Sequence, residues 1–355
     1  LDQRARRLAS YLTLGCILGV TACDADNGGG GSSGGSGGAT PTDGGGGSGG
    51  TSSGGAQTAG GSGGATDESG GDAGAPADSG GTSATGGSGG TVGDALDVFG
   101  VRELYPSAPG GAQWNSLHWD DGDAYSMEER DEHDPSGLSG LRGEGTIDIT
   151  GTGELVMAGS EPRIYVYPEG GATWQDIEVT VYYQRVEDTG TAYAGLVVGV
   201  RSGPDGHNTD TACDAHTYYA RLRHDGEIDF EKELKHPASS TQSRIPAEEV
   251  WPPDGILPTG QWIGWKFVIY NLGSDNVQLE SYRDLTLGED GGDWEQMNET
   301  VDEGGWFVET DCAEHDPVGG ESDLVITGGG AVLVRNTEIT EARYRWLTIR
   351  EILPP

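Results

Sequence analysis

Residues Thr217 to Pro237 read T-Y-Y-A-R-L-R-H-D-G-E-I-D-F-E-K-E-L-K-H-P, a β-hairpin turning at His224-Asp225-Gly226. Its register decides what kind of sheet the chain builds. A two-residue Asp-Gly turn would pair Arg223 with Ile228 and Arg221 with Phe230, mixing charged and apolar side chains on one face. A three-residue turn, with Gly226 left-handed in a G1 bulge, pairs Arg223 with Glu227, Arg221 with Asp229 and Tyr219 with Glu231. The other face then carries Leu222, Ile228, Ala220, Phe230 and Leu234. Strand side chains alternate, so a one-residue slip would move every apolar group into water, and the second register is the expected one. Lys232 breaks the pattern, falling on the apolar face between Phe230 and Leu234. Two outcomes are open for it: its amine snorkels to the sheet edge, or a second bulge rotates Glu231 or Glu233.

Alternation with period two continues on both sides of the hairpin. In Asp176–Val186 the residues Ile177, Val179, Val181 and Tyr183 face one way, and in Tyr193–Arg201 so do Leu196, Val198 and Val200. From Trp262 to Tyr270, Ile263, Trp265, Phe267 and Ile269 oppose Trp262, Lys266 and Tyr270. Val277 and Leu279 share a face. The last strand alternates Arg345, Leu347 and Ile349 with Tyr344, Trp346 and Thr348, and Trp265 and Trp346 are expected in the core. Shorter strands are expected at Thr146–Thr150, Glu154–Ala158, Arg163–Tyr167, Trp306–Glu309, Leu324–Thr327 and Ala331–Arg335. No stretch shows an apolar stripe over three helical turns. Many strands without a helical layer make an all-β sandwich or barrel spanning 94–355.

The front of the chain is different. Arg4, Arg6 and Arg7 precede the short apolar run Leu8 to Val20, too short for an ordinary membrane span. The run ends in Val20-Thr21-Ala22-Cys23. Residues 24–93 are Gly, Ser, Ala and Thr with scattered Asp, and they hold no Lys or Arg. Such a segment cannot bury enough apolar surface to offset its chain entropy, so disorder is expected. Its typical reach would be about 45 Å.

The formal net charge is −38 at pH 7, carried mostly by the β region. That disfavours nucleic acid and anionic membranes as partners, since both attract basic patches. Of the four cysteines, Cys16 lies in the leader and Cys23 at its end. Cys213 and Cys312 remain, and in an oxidising compartment an even pair is most simply a disulfide. A metal site is the rival, because Asp214, His216, Asp311, Glu314, His315 and Asp316 lie nearby in sequence.

Several segments resemble known families. Val20-Thr21-Ala22-Cys23 resembles a bacterial lipobox. That resemblance makes residues 1–23 an export signal and Cys23 a lipidated residue, placing the protein at the outer surface or in the periplasm with a lipid as its sole membrane contact. Gly260-Gln261-Trp262-Ile263-Gly264-Trp265-Lys266-Phe267, the strand Val277–Asp284 and the closing strand Tyr344–Ile352 resemble the concanavalin A-like lectin/glucanase superfamily. This implies a jelly-roll β-sandwich of two curved antiparallel sheets, covering roughly residues 174–352. It also implies a polysaccharide partner, a monomer, no organic cofactor, and room for structural calcium. The Asp-rich loops at 120–123, 205–210 and 289–293 have the oxygen donors that calcium takes, although ordinary turn chemistry explains them too.

Three functions follow from the resemblance. Glu227-Ile228-Asp229-Phe230-Glu231 resembles the strand motif of family 16 glycoside hydrolases, which would make Glu227 the nucleophile, Asp229 its tuner and Glu231 the acid/base. It departs from the motif at Leu234, and the expected Arg223 and Arg221 partners are wrong for a general acid. A polysaccharide lyase is similar in residue types: Tyr219 to move a proton, Arg221 and Arg223 to neutralise a uronate, with His224, Lys235 and His236 nearby. A non-catalytic glycan-binding module would stack sugars on Tyr219, Trp262 and Tyr270 along one sheet, with Trp114 and Trp119 at a rim. The candidate catalytic set is thus Tyr219, Arg221 and Glu231, and the candidate binding set Arg223, Asp229, Trp262 and Tyr270. A purely structural or adhesive surface protein is the remaining reading.

Overall fold

A computed structural model describes residues 95–203 and 209–355. By contacts the chain divides into Leu1–Thr82 and Ser83–Pro355. The export segment, Cys23, the linker and most of the 205–210 loop lie outside the described residues. The β-sandwich belongs to the second unit.

Two antiparallel sheets face each other. The larger has nine strands, running in space Glu295–Asp302, Val277–Asp284, Trp262–Asn271, Ile177–Asp188, Ile339–Glu351, Glu154–Gly159, Thr146–Ile149 and Tyr125–Ser126. The ninth, Gln113–Asn115, also pairs with Ile339–Glu351. The smaller has seven: Ala238–Ile245, Ile228–Lys235, Thr217–Arg223, Gly195–Ser202, Ala331–Arg335, Arg163–Val166 and Ser139–Arg142. The core between them takes the apolar half of each alternating strand, including Ile177, Val179, Leu196, Val198, Ile263, Trp265 and Phe267. Burial of these β-branched and aromatic faces is the main favourable term, at about 25 cal/mol per Å² of apolar surface removed from water.

The hairpin has the three-residue turn. Arg221 pairs with Asp229 and Tyr219 with Glu231, and Gly226 takes φ 88°. The Arg223 amide donates to Glu227 O, and the Gly226 amide to Arg223 O. Ala220, Leu222, Ile228, Phe230 and Leu234 all enter the core. Lys232 enters it too without snorkelling, and although a register shift against Ala238–Ile245 lies between Glu233 and Lys235, Glu231 and Glu233 still face outward with Tyr219. The pairing of Lys232 with Tyr218 is in register, and its amine is fully buried against Asp302 at 2.7 Å. A buried ion partner removes the need to reach water.

Three other expectations change. Leu324–Thr327 forms no strand. Side chains take up its backbone groups instead: Tyr218 accepts from the Ile326 amide, and Arg201 donates to Ile326 O. The last strand carries a bulge, with Trp346 at φ 53° and a register shift between Arg345 and Thr348. The bulge sends both Arg345 and Trp346 to the outer face while Tyr344, Leu347 and Ile349 stay in the core, so Trp346 is not a core residue. Trp114 and Trp119 are core residues rather than a rim. The edge strand Ala238–Ile245 escapes a sequence reading because its Ser, Thr and Gln content suits an exposed edge and hides the alternation.

Residues 95–112 cross the outer face of the larger sheet. Glu178 accepts from the amides of Leu104 and Tyr105, and Tyr105 donates its hydroxyl to Glu280. Cys213 and Cys312 form a disulfide, at a sequence separation of 99. The metal alternative for this pair is thereby excluded.

Candidate functional site

The outer face of the seven-stranded sheet collects most of the predicted residues. Alternation aims Tyr219, Arg221 and Arg223 from one strand, and Asp229, Glu231 and Glu233 from its neighbour, away from the core. Arg221 grips Asp229 with two hydrogen bonds, Nε to Oδ1 at 2.5 Å and Nη2 to Oδ2 at 2.8 Å. Its Nη1 lies 2.5 Å from Glu231 Oε2. Glu231 therefore has an arginine partner as well, and is not the unpaired carboxylate facing Tyr219 that strand pairing alone suggests. Arg223 donates to both oxygens of Asp225 and stands 3.5 Å from Glu227 and from Asp229. Arg244 reaches Asp229 at 3.4 Å from a half-exposed side chain. Planar guanidinium forks matched to carboxylates hold one another rigid, so the row is preorganised.

The face extends beyond the hairpin. Arg335, from Ala331–Arg335, lies over the Tyr219 ring at 5.1 Å and donates to Glu161. Arg163 also pairs with Glu161. Tyr165, Val197, Tyr219 and Leu333 form an apolar strip beneath these charges. Gly199 makes this possible: a Cβ there would stand 2.9 Å from Tyr219 Cε1 and 2.8 Å from Leu333 Cγ. Alternation within Ala331–Arg335 signalled that Arg335 would face with Leu333, but only the sheet order brings it over Tyr219.

Tyr219 donates to Glu233 Oε2 at 2.8 Å, one residue pair further along than Glu231. Glu233 Oε1 holds His236 Nδ1 at 2.8 Å. Burial, with the Glu233 charge adding to it, pushes the Tyr219 phenol well above its usual value. It keeps its proton at any ordinary pH.

Trp262 and Tyr270 do not join this face. Both belong to Trp262–Asn271 in the other sheet, so Tyr219, Trp262 and Tyr270 do not line one sheet. Tyr270 is buried, its hydroxyl donating to Glu280 and its ring against Tyr105. Trp262 is half-buried and stacks with Arg345, whose guanidinium carbon lies 4.2 Å from the Trp262 ring and 4.3 Å from that of Trp346. A cleft of about 530 Å³ beside Trp251, Ile256 and Arg283 is lined by none of the predicted residues. Among the described residues, Asp121, Asp123 and His133 bring ligand atoms within 4.8 Å of one another and could share a cation.

His224, at the turn, gives a pH prediction. Its ring is buried beside Tyr183, with Arg185, Asp188 and Asp225 as its charged neighbours. Burial, then the Arg185 charge, lowers its pKa from 6.5 to about 4. The unfolded chain binds this proton more readily than the folded one. Its contribution to stability is therefore present above pH 6.5 and lost as pH falls towards 4. Urea midpoints measured at pH 7 and pH 5 should fall for the native chain, and the drop should shrink in His224→Asn.

No protein-family model matches the chain, and no curated protein matches it. Solved structures do. The alginate lyase Aly36B aligns at TM-score 0.38 and 9% identity, over 71% of this chain and 100% of that one. Lectin I-B4 from Griffonia simplicifolia aligns at TM-score 0.34 and 8% identity, over 64% of this chain and 98% of that one. The receptor-binding domain of botulinum neurotoxin mosaic serotype C/D aligns at 0.36 and 12%, over 67% of this chain and 49% of that one. The chain thus spans about half the length of that last structure.

Proposed function

We propose that the domain binds polysaccharide across the outer face of its seven-stranded sheet, as a non-catalytic module. One observation carries this reading. In a chain of net charge −38, five arginines (Arg163, Arg221, Arg223, Arg244 and Arg335) share one sheet face, interleaved with carboxylates at ion-pair distance. Alternating fixed donors and acceptors suit the paired hydroxyls of a sugar chain, and the arginines suit uronate carboxylates. Hydrolysis is a poor fit, because Glu227, Asp229 and Glu231 each face an arginine. Lipidation at Cys23, with residues 24–93 as a tether, would hold such a module at a bacterial surface.

The test is affinity electrophoresis on a panel of neutral and uronic-acid polysaccharides. Retardation without product is expected. Arg244→Ala removes a half-exposed side chain and should leave the fold intact while weakening binding about tenfold, the effect of losing one charge-assisted hydrogen bond of about 1.4 kcal/mol. No retardation across the panel, or retardation that ignores Arg244→Ala, would sink the reading.

A second reading, β-elimination, is favoured by the Tyr219–Glu233–His236 chain, in which the protonated Tyr219 phenol would serve as the acid towards the leaving oxygen. Products absorbing in the near ultraviolet, abolished in Tyr219→Phe, would establish it in place of simple binding.

A further inference from the structure

Across the core, the two sheets place an amine against a carboxyl. Lys232 comes from Ile228–Lys235 in the smaller sheet and Asp302 ends Glu295–Asp302 in the larger one. Both are 0% exposed, and Lys232 Nζ lies 2.7 Å from Asp302 Oδ2. The Tyr218 hydroxyl donates to the same Oδ2 at 2.5 Å, and the Gly304 amide donates to Oδ1 at 2.9 Å. Lys232 Nζ also donates to Leu324 O at 2.8 Å, and the Trp306 ring lies 5.5 Å away.

We propose that Lys232 and Asp302 condense to an amide, forming an isopeptide cross-link between the two sheets. The step balances without any co-reactant. A proton passes from the ammonium to the carboxylate, leaving –NH2 beside –COOH. The nitrogen attacks Cγ, a C–N bond forms, and a C–O bond breaks. One water leaves, made of the carboxyl OH and one amine hydrogen.

The surroundings supply what this step needs. Tyr218 and Gly304 aim donors at the two oxygens where negative charge develops during attack. Leu324 O orients the amine. Fixing nucleophile and electrophile in contact removes the entropy of bringing them together. Burial holds the Lys232 amine below its usual value, and it holds the Tyr218 phenol above, so Tyr218 remains a donor. The product replaces a buried ion pair, whose desolvation is costly, with a neutral amide. The core then keeps water from reversing it. The link would lie inside the loop closed by Cys213 and Cys312, and reductant would not open it.

Peptide mapping of the reduced full-length chain tests this. The expected result is a branched pair of peptides carrying Lys232 and Asp302, lighter than their sum by one water, with no tryptic cleavage after Lys232. Lys232→Ala should lose the branched species, and Tyr218→Phe should leave a measurable unlinked fraction. The measurement on the unmodified chain does not depend on either variant folding. Separate peptides at their sequence masses, from protein that melts cooperatively, would overturn the proposal. So would a water loss confined to the Asp302 peptide, or one that persists in Lys232→Ala, since that marks the aspartate closing on its own backbone.

Discussion

Replacing Glu178 with alanine should cost the domain about 3–5 kcal/mol, the usual penalty for stripping a buried charge of its partner. Glu178 has a fully buried side chain. It accepts from Lys266 Nζ at 2.7 Å and from Arg350 Nη2 at 2.5 Å, so one carboxylate answers two cations. Arg350 keeps a weaker contact with Glu103 at 3.4 Å, while among the described residues Lys266 keeps Thr180 Oγ1 as its one other hydrogen-bond acceptor. Burial already depresses the Lys266 amine, and Glu178 is the largest influence opposing that. Without it the amine gives up its proton or the site takes in water. The same carboxylate receives the amides of Leu104 and Tyr105, so the segment crossing the outer face should loosen too. Denaturant midpoints would show the first effect, and faster proteolysis near residues 100–108 the second. Glu178→Gln keeps an acceptor for the amides but no charge, and should fall between. An unchanged midpoint in Glu178→Ala would mean that the cluster adds nothing net.

Opening the disulfide should have a comparable effect. Cys213 and Cys312 close a span of 99 residues. In the chain-entropy account, losing such a closure gives the unfolded chain about 3–5 kcal/mol of freedom. For a domain of this size that is a drop of roughly 10 °C in melting temperature. The comparison is the native chain against Cys213→Ser with Cys312→Ser, both without reductant. Reductant should lower the native melting temperature and leave the double variant unmoved. The bridge ties the chain before Thr217–Arg223 to the loop after Val308–Thr310. That loop also meets the hairpin through Lys235 and Asp311, so its loss should disturb one end of the candidate face.

Much of this is legible in the sequence. Alternation gave away the core faces of Ile177–Asp188, Gly195–Ser202 and Trp262–Asn271, because a side chain on a strand has two directions and the apolar ones all took the same one. The hairpin register was legible because one pairing sorts charge from apolar surface and the other does not. The disulfide was legible because an even pair of cysteines was left in the β region.

What escaped depends on partners distant in sequence. The bulge at Trp346 reverses the phase of the closing strand, and a period-two reading carries straight past an extra residue. Lys232 was anomalous on its strand because its partner, Asp302, lies 70 residues away on the facing sheet. The grouping of Trp262 with Tyr219 failed because sequence shows which way a strand faces but not to which sheet it belongs. By itself, then, the sequence determined an all-β sandwich or barrel, most of its core faces and the polar row from Tyr219 to Arg223. Tertiary structure alone decided what meets that row and what meets Lys232. Alternation is a local steric property of the backbone, whereas ion pairs and sheet order come from closing long loops, for which local sequence carries no code.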